Sequence, residues 1–187
     1  NDIAPEELTS TMKAVLFGKY TKDQRFFLEA SIDDKTLPDV ALNEVVIHSG
    51  SVAKMIDYEL YLKNKFVYSQ RADGLIISTP TGSTAYSLSG NGPIIHPDVK
   101  SIALIPMFPH SLNARSLIVE DKTEIEIIVK GKSFISIDGH KNLNIKRDSK
   151  IKVNKAKPTL TLIHPENHNF FSACRTKLGW SQTLDGK

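Results

Sequence analysis

The sequence predicts a mainly β fold, sandwich-like or barrel-like, with one helix at its start and one short helix near its middle. Three observations carry this reading. Short runs rich in β-branched and aromatic residues recur about every ten residues along most of the chain. Two of these runs alternate strictly between apolar and polar residues, as a half-buried strand must. Only two segments break the rhythm with helical signals.

The first of those segments is Pro5-Glu6-Glu7-Leu8. Proline and acidic residues suit a first helical turn, where the N–H groups are unpaired and the dipole favours negative charge. Leu8, Met12, Val15 and Leu16 follow as an apolar stripe, and Gly18 ends it. Because Asn1 reads almost directly into this helix, the chain is expected to start partway through a larger protein.

Strands are then expected over 25–32 and 42–48. Tyr58, Leu60 and Leu62 alternate with Asp57, Glu59 and Tyr61, and Lys63-Asn64-Lys65 turns the chain into a strand over 66–72. Leu75-Ile76-Ile77 is fully apolar and reads as a buried strand. Ile125, Ile127 and Val129 alternate with Glu124 and Glu126, and Lys130-Gly131-Lys132 leads into a strand over 134–137. Further strands are expected over 143–145, 151–153 and 159–164. The tail after His164 reads as irregular, with Phe170, Phe171, Leu178 and Trp180 expected to pack on another domain or subunit.

Composition narrows the function classes. At 187 residues, 40% hydrophobic and 24% charged, this is an ordinary globular composition. The net charge of +3 is too small, and the cations too dispersed, for a nucleic-acid surface. Their local concentration between Lys130 and Lys157 reads as solvated strand edges. No apolar run approaches the ~20 residues that span a membrane, and no signal-peptide pattern opens the sequence. The single Cys174 excludes an intrachain disulfide, suits a reducing, cytoplasmic compartment, and reads as structural.

Chemistry concentrates between Asp73 and Gly90. Seven of those residues are Ser or Thr, set around Thr79-Pro80-Thr81-Gly82 and a helix start that Gly90, Gly92 and Pro93 end quickly. Ser83 or Thr84 is placed to cap that helix, and hydroxyls beside freed amides suit phosphate or ribose. Asp73 precedes the apolar strand, where it can accept hydrogen bonds from sugar hydroxyls. Asn43-Glu44 reads equally as a turn cap or as a reader of a purine edge and a ribose. Asp138-Gly139-His140 reads first as a hairpin turn, with His140 at its edge within reach of a ligand. His164 and His168 are interrupted by Pro165 and lack metal-ligand geometry, and His96 and His110 read as loop residues. The sequence holds no glycine-rich dinucleotide fingerprint and no Walker-type loop.

Taken in order, Asn43-Glu44-Val45-Val46, the whole run from Asp73 to Tyr86, Gly92-Pro93-Ile94 and Asp138-Gly139-His140 resemble the NAD kinases. Pro106-Met107-Phe108-Pro109-His110 and Thr176-Lys177-Leu178-Gly179-Trp180 are similar to the bacterial, proteobacterial-type members. The resemblance implies the C-terminal β-sandwich-like domain of such an enzyme. Residues 1–20 would form a connecting helix from an N-terminal α/β domain, 21–165 the β-rich NAD-binding domain, and 166–187 a tail packing on that missing domain or another subunit.

It implies ATP-dependent phosphorylation of the 2′-hydroxyl of the adenosine ribose of NAD, giving NADP, with a divalent metal (magnesium), in a homodimer or homotetramer. Asn43 and Glu44 would bind the adenosine part. Asp73, Thr81, Thr84, Ala85, Tyr86 and Ser89 would line the dinucleotide pocket, and His140 would stand beside the ribose. Lys54 and Arg71 would make nucleotide contacts. The family's Gly-Gly-Asp-Gly motif, which carries the catalytic base, is absent from these 187 residues, so the isolated chain is expected to be inactive. Competing readings are a lipid kinase of the diacylglycerol or sphingosine type, and a non-catalytic nucleotide-binding β-sandwich module. The mostly polar segment from Thr81 to Ser89 argues against a lipid pocket.

Overall fold

A computed structural model describes residue 3, residues 5–51 and residues 54–179. The chain divides into two compact units, Arg25–Leu160 and the combination of Asn1–Gln24 with Thr161–Lys187.

The larger unit is a sandwich of two six-stranded sheets. The first has the order β2-β1-β12-β9-β4-β5, formed by β1 (Tyr20–Ile32), β2 (Lys35–Ala41), β4 (Ile56–Leu62), β5 (Lys65–Ala72), β9 (Ile125–Val129) and β12 (Lys150–Pro165). The second has the order β11-β10-β3-β6-β7-β8, formed by β3 (Glu44–His48), β6 (Gly74–Ser78), β7 (Ser101–Met107), β8 (Leu117–Glu120), β10 (Ser133–Ile137) and β11 (Asn142–Ile145). The first residues of β1 and the last of β12 belong to the smaller unit.

Strand parity explains the layering. Val45 and Ile47 of β3, Leu75 and Ile77 of β6, Ile102 and Leu104 of β7, and Ile135 and Ile137 of β10 all join one core. Leu28, Tyr58, Leu60, Ile125, Ile127 and Val153 meet them from the other sheet. The opposite face of the second sheet carries Val46, Ile76, Ala103, Ile105 and Met107, covered in part by Ile95. A sheet buried on both faces needs apolar residues at consecutive positions, and every residue of β6 and β7 is buried. Each fully buried Leu or Ile contributes about 1.5–3 kcal/mol, so these central strands form the rigid floor beneath the 81–95 segment.

That segment contains a 3-10 turn, Thr81–Thr84, and a single α-helical turn, which we call α2 (Tyr86–Ser89), ended at Gly90. The helix expected after Gly82 is therefore present in two short pieces. Gly82 has a steric reason to be glycine: a Cβ there would lie 2.2 Å from the Asn43 carbonyl oxygen and 2.7 Å from Ser78 Oγ.

In the smaller unit, a 3-10 turn at Pro5–Glu7 leads into α1 (Leu8–Leu16), and Gly18 follows with φ of 84°. The opening helix and its stop are as the sequence predicts. The tail is not irregular: residues 170–178 form α3 (Phe170–Leu178). Its N-terminus is capped by Asn169, whose side chain accepts from the Ser172 N–H at 3.0 Å, and Gly179 closes it in the left-handed conformation. The rings of His164 and His168 stack at 4.0 Å, and Cys174 is buried. The expectation for Trp180 falls outside the described residues.

Three strands were not expected from the sequence. β2 contains Pro38 and lies at a sheet edge, where a missing N–H is tolerated. β8 is a four-residue edge strand. β7 lacks alternation because both its faces are buried, and Pro106 sits beyond the reach of β8, which pairs only with residues 101–104. The strands expected over 151–153 and 159–164 are one continuous strand, and β1 begins at Tyr20 rather than Arg25.

The steric argument at Gly82 gives a stability test. Gly82→Ala should lower the urea unfolding free energy by about 2 kcal/mol, because the clashing group is backbone and cannot swing away. Gly131→Ala, where nothing lies within 4 Å of the added methyl, should stay within about 0.5 kcal/mol. Equal effects of the two substitutions would contradict the packing described.

Candidate functional site

A groove of about 740 Å³ opens on the outer face of the second sheet, its lining including Glu44, Asp73, Tyr86 and Met107. Period two puts Glu44, Val46 and His48 of β3 on this outer face, while Val45 and Ile47 turn into the sandwich. Ser136 of β10 arrives by the same parity, opposite Val46 in the register.

The start of β3 is held by the Asp138 side chain. Oδ2 accepts from the Leu42 N–H at 2.7 Å, and Oδ1 accepts from the Asn43 and Glu44 N–H groups, both at 2.9 Å. In return the Asp138 N–H donates to the Glu44 carbonyl at 3.0 Å. Asp138 and Gly139 have φ of 46° and 70°, and the His140 N–H donates to the Ile137 carbonyl. These features define a tight turn with both central residues left-handed, which Asp-Gly suits. The Asp138 carboxylate thus replaces missing ladder partners for three consecutive amides.

A second set of bonds ties the same segment to the hydroxyl-rich turn. Thr79 Oγ1 donates to the Leu42 carbonyl at 2.6 Å and accepts from the Gly82 N–H at 3.1 Å. The Thr79 N–H donates to the Asn43 carbonyl at 2.8 Å. Ser83 Oγ donates to the Pro80 carbonyl at 2.6 Å and accepts from the Ile95 N–H at 3.0 Å, pinning the covering loop. Ser78 Oγ donates to the Thr79 carbonyl. The sequence suggested that Ser83 or Thr84 caps the helical turn, but α2 has no side-chain cap; the Thr79 hydroxyl instead takes the Gly82 N–H of the preceding 3-10 turn. Of the seven hydroxyls, those of Ser78, Thr79, Ser83 and Ser87 are buried. The density of Ser and Thr is therefore largely a device for folding the turn, and only Thr81, Thr84 and Ser89 retain solvent-facing surface.

Glu44 is the electrostatic focus. It is buried, its Oε2 has no hydrogen-bond partner among the described residues, and the Tyr86 N–H faces its carboxyl. Burial, and then the negative charge of Asp138, push its pKa up to about 7, against the opposing effect of the Tyr86 N–H. Near neutral pH it can therefore offer either an acceptor or a proton to whatever enters the groove.

Glu44, Asp73 and Tyr86 are the sequence-predicted site residues that line the groove itself. Asn43 adjoins Glu44 and is fixed through its backbone. Thr81, Thr84, Ala85 and Ser89 share the short turn that carries Tyr86. His140 is exposed and follows Gly139, itself a lining residue. Lys54 is exposed, and Arg71 lies on β5 of the other sheet, its Nε 3.9 Å from the Asp57 carboxylate; neither lines the groove. His48, Ser49, Ser51, Met107, Phe108, Ser136 and Asn142 do line it without having been singled out. Strand parity counted from Glu44 would have found His48, and the Asp138 turn would have found Asn142. Among the described residues no group of three or more His, Cys, Asp or Glu side chains is arranged to hold a metal ion.

The ATP-NAD kinase C-terminal domain model matches residues 42–165. The NAD kinase of Teredinibacter turnerae is 44% identical over 187 residues, covering 96% of this chain and 64% of that protein. The NAD kinase of Chromohalobacter salexigens is 45% identical over 190 residues, covering 98% and 65%. The chain thus spans a little under two thirds of the length of these relatives. Yeast NADH kinase, in its crystal structure with NADH, superposes with a TM-score of 0.88 at 22% identity over 97% of this chain and 57% of its own. An NAD kinase from Archaeoglobus fulgidus in complex with ATP gives 0.77 at 29% identity, over 92% and 68%.

Two substitutions test the electrostatics. Glu44 titrates higher in the fold than its ordinary 4.5, so its protonated form is favoured in the folded state. Its contribution is fully present below pH 4.5 and is lost as the pH rises through about 7. Glu44→Gln should remove that loss, making the variant more stable than wild type at pH 8, by up to about 3 kcal/mol, and no more stable at pH 4.5. Parallel urea titrations at the two pH values check this; a pH-independent difference would contradict it. Asp138→Ala leaves three amides without their acceptor and should cost about 3 kcal/mol or more. In the same variant the Glu44 titration, followed by carboxyl 13C shifts, should move down, because a neighbouring negative charge has gone.

Proposed function

The chain belongs to the ATP-NAD kinase family, whose C-terminal domain model it matches, and from that premise we propose that its groove holds NAD for phosphorylation of the adenosine ribose 2′-hydroxyl by ATP, giving NADP. The observation that carries this reading is the buried, partly unsatisfied Glu44 carboxyl, set beside Asp73 and Tyr86 in a groove whose backbone is fixed from two sides.

Phosphoryl transfer asks a protein mainly to position the acceptor and to balance charge. Asn43 and Glu44 would bind the adenosine part, with Glu44 able to accept from a ribose hydroxyl or to donate when protonated. Asp73 would take hydrogen bonds from sugar hydroxyls across the groove, and the exposed ring of Tyr86 would offer a stacking face. Thr81, Thr84, Ala85 and Ser89 would line the remainder from the same turn, with His140 beside the ribose. Lys54 and Arg71 would reach the nucleotide only through further contacts, since neither lines the groove.

The residues described do not fit a resident metal. The divalent ion of the reaction, magnesium, would arrive with the ATP phosphates, where its chemistry is to offset negative charge. The Gly-Gly-Asp-Gly motif that would supply the base is not in this sequence. The lone cysteine and the absence among the described residues of a helix long and apolar enough to cross a membrane fit a cytoplasmic enzyme. Assembly as a homodimer or homotetramer is part of the same reading.

Calorimetric titration of the purified 187-residue chain should show binding of NAD or NADP and none of a diacylglycerol. Incubation with ATP, magnesium and NAD should yield no NADP above background. NADP formation by this chain would place the base inside these residues, and lipid binding without dinucleotide binding would overturn the assignment.

A further inference from the structure

The groove has one wall that the reading above leaves unexplained: the reversal at residues 49–51, where β3 ends. Ser49, Gly50 and Ser51 line the groove together with His48, which contacts both Gly50 and Asn142. Its shape is set by a compact group of contacts. The Gly50 N–H donates to His48 Nδ1 at 3.1 Å, and His48 Nε2 lies 3.2 Å from Asn142 Oδ1. The His48 ring stacks on Phe134, with centroids 5.9 Å apart and planes at 25°. Gly50 has φ of 72°, and a Cβ there would lie 2.2 Å from the Phe134 ring, so the reversal is pressed flat against that ring. The Ser49 N–H donates to the Asp73 carbonyl at 3.3 Å, and Ser49 Oγ donates to the Ser51 carbonyl at 2.8 Å.

The protonation pattern of His48 follows from its partners. Nδ1 accepts an N–H and so must carry a lone pair. Nε2 then carries the proton and donates to the Asn142 oxygen. The imidazole is thus an adaptor. One nitrogen orders the 49–51 reversal, and the other ties that reversal to the β10–β11 hairpin whose Asp138 clamps the start of β3.

We propose that His48 is a positioning residue of the dinucleotide groove: through its Nδ1 it fixes the 49–51 wall against which the bound molecule rests. The inference depends on the reading of the groove as the NAD site. It assigns no contact between His48 and the reacting atoms.

The two arms can be separated by substitution. In His48→Asn the amide oxygen can accept from the N–H two residues on, as asparagine commonly does in turns, but the side chain no longer reaches Asn142. In His48→Gln the amide NH2 can reach Asn142, but the acceptor for Gly50 is lost. With NAD as the probe and the 187-residue chain titrated calorimetrically, His48→Ala and His48→Gln should each weaken binding about tenfold, the equivalent of one good hydrogen bond. His48→Asn should weaken it only about two- to threefold. In the unliganded wild type, imidazole 15N shifts should show a protonated Nε2 and an unprotonated Nδ1. The Gly50 amide proton shift should be retained in His48→Asn and moved in His48→Gln, a difference that general destabilisation would not produce.

Equal NAD affinity for wild type and His48→Ala overturns the inference while leaving the groove assignment intact. So does retention of affinity by His48→Gln together with its loss in His48→Asn, or the opposite tautomer. Failure of the wild-type chain to bind NAD removes the groove assignment and this inference with it.

Discussion

The Asp138 carboxylate accepts three consecutive backbone N–H groups from residues 42–44, and the geometry of the groove depends on that arrangement. Those amides precede or open β3, where a ladder partner is not yet available, and unpaired amides at a partly buried position are costly. A carboxylate is suited to this task because its two oxygens offer several acceptor sites and charge-assisted bonds are the stronger kind. Once the amides are held, the carbonyls of Leu42 and Asn43 face Thr79, whose hydroxyl and N–H take them up. The hydroxyl-rich turn is therefore built onto the clamped segment, and Tyr86 reaches the groove only because both are in place.

The same carboxylate sets the chemistry of its neighbour. Asp138 fixes the Glu44 backbone and at the same time raises the Glu44 pKa, adding to the effect of burial. Geometry and electrostatics are thus coupled through one side chain: a substitution that relaxes the charge must also release the backbone. His48 plays a quieter, neutral counterpart at the other end of β3, linking the 49–51 reversal to the hairpin that begins at the Asp138 turn.

Much of this was legible in the sequence, for identifiable reasons. The opening helix was readable from Pro5 and Gly18, and the alternating strands β4 and β9 from period two; β4 forms a hairpin with β5, whereas β9 and β10 belong to different sheets. Leu75-Ile76-Ile77 was readable as a buried strand because it is fully apolar. What escaped had equally physical causes. β7 carries no alternation because the 81–95 segment covers its outer face, a tertiary fact that no local pattern announces. α3 was hidden by a short apolar and polar mixture whose helical signal lies mainly in its two ends, Asn169 and Gly179. In the groove, Glu44, Asp73 and Tyr86 stood inside recognisable motifs. His48, Ser136 and Asn142 come together only through register across β3, β10 and β11. The hydroxyls divide for a related reason: Ser and Thr serve both ligands and backbone, and burial shows that Ser78, Thr79, Ser83 and Ser87 face inward.

Glu44 is the place where this otherwise consistent structure departs from its own rules. Buried carboxylates are ordinarily paired with a cation or fully hydrogen-bonded, yet Glu44 has Asp138 as its charged neighbour and leaves Oε2 without a partner among the described residues. Replacing it with a neutral isostere would improve folding at alkaline pH, so stability alone does not account for its presence. Under the proposed reading, a ligand in the groove that Glu44 lines would account for it, because ribose hydroxyls could bond the carboxyl in the complex. On that reading the preorganised backbone of residues 42–44 would matter for function as well as folding: it holds the Glu44 side chain in place before a ligand arrives, so binding need not also order the site.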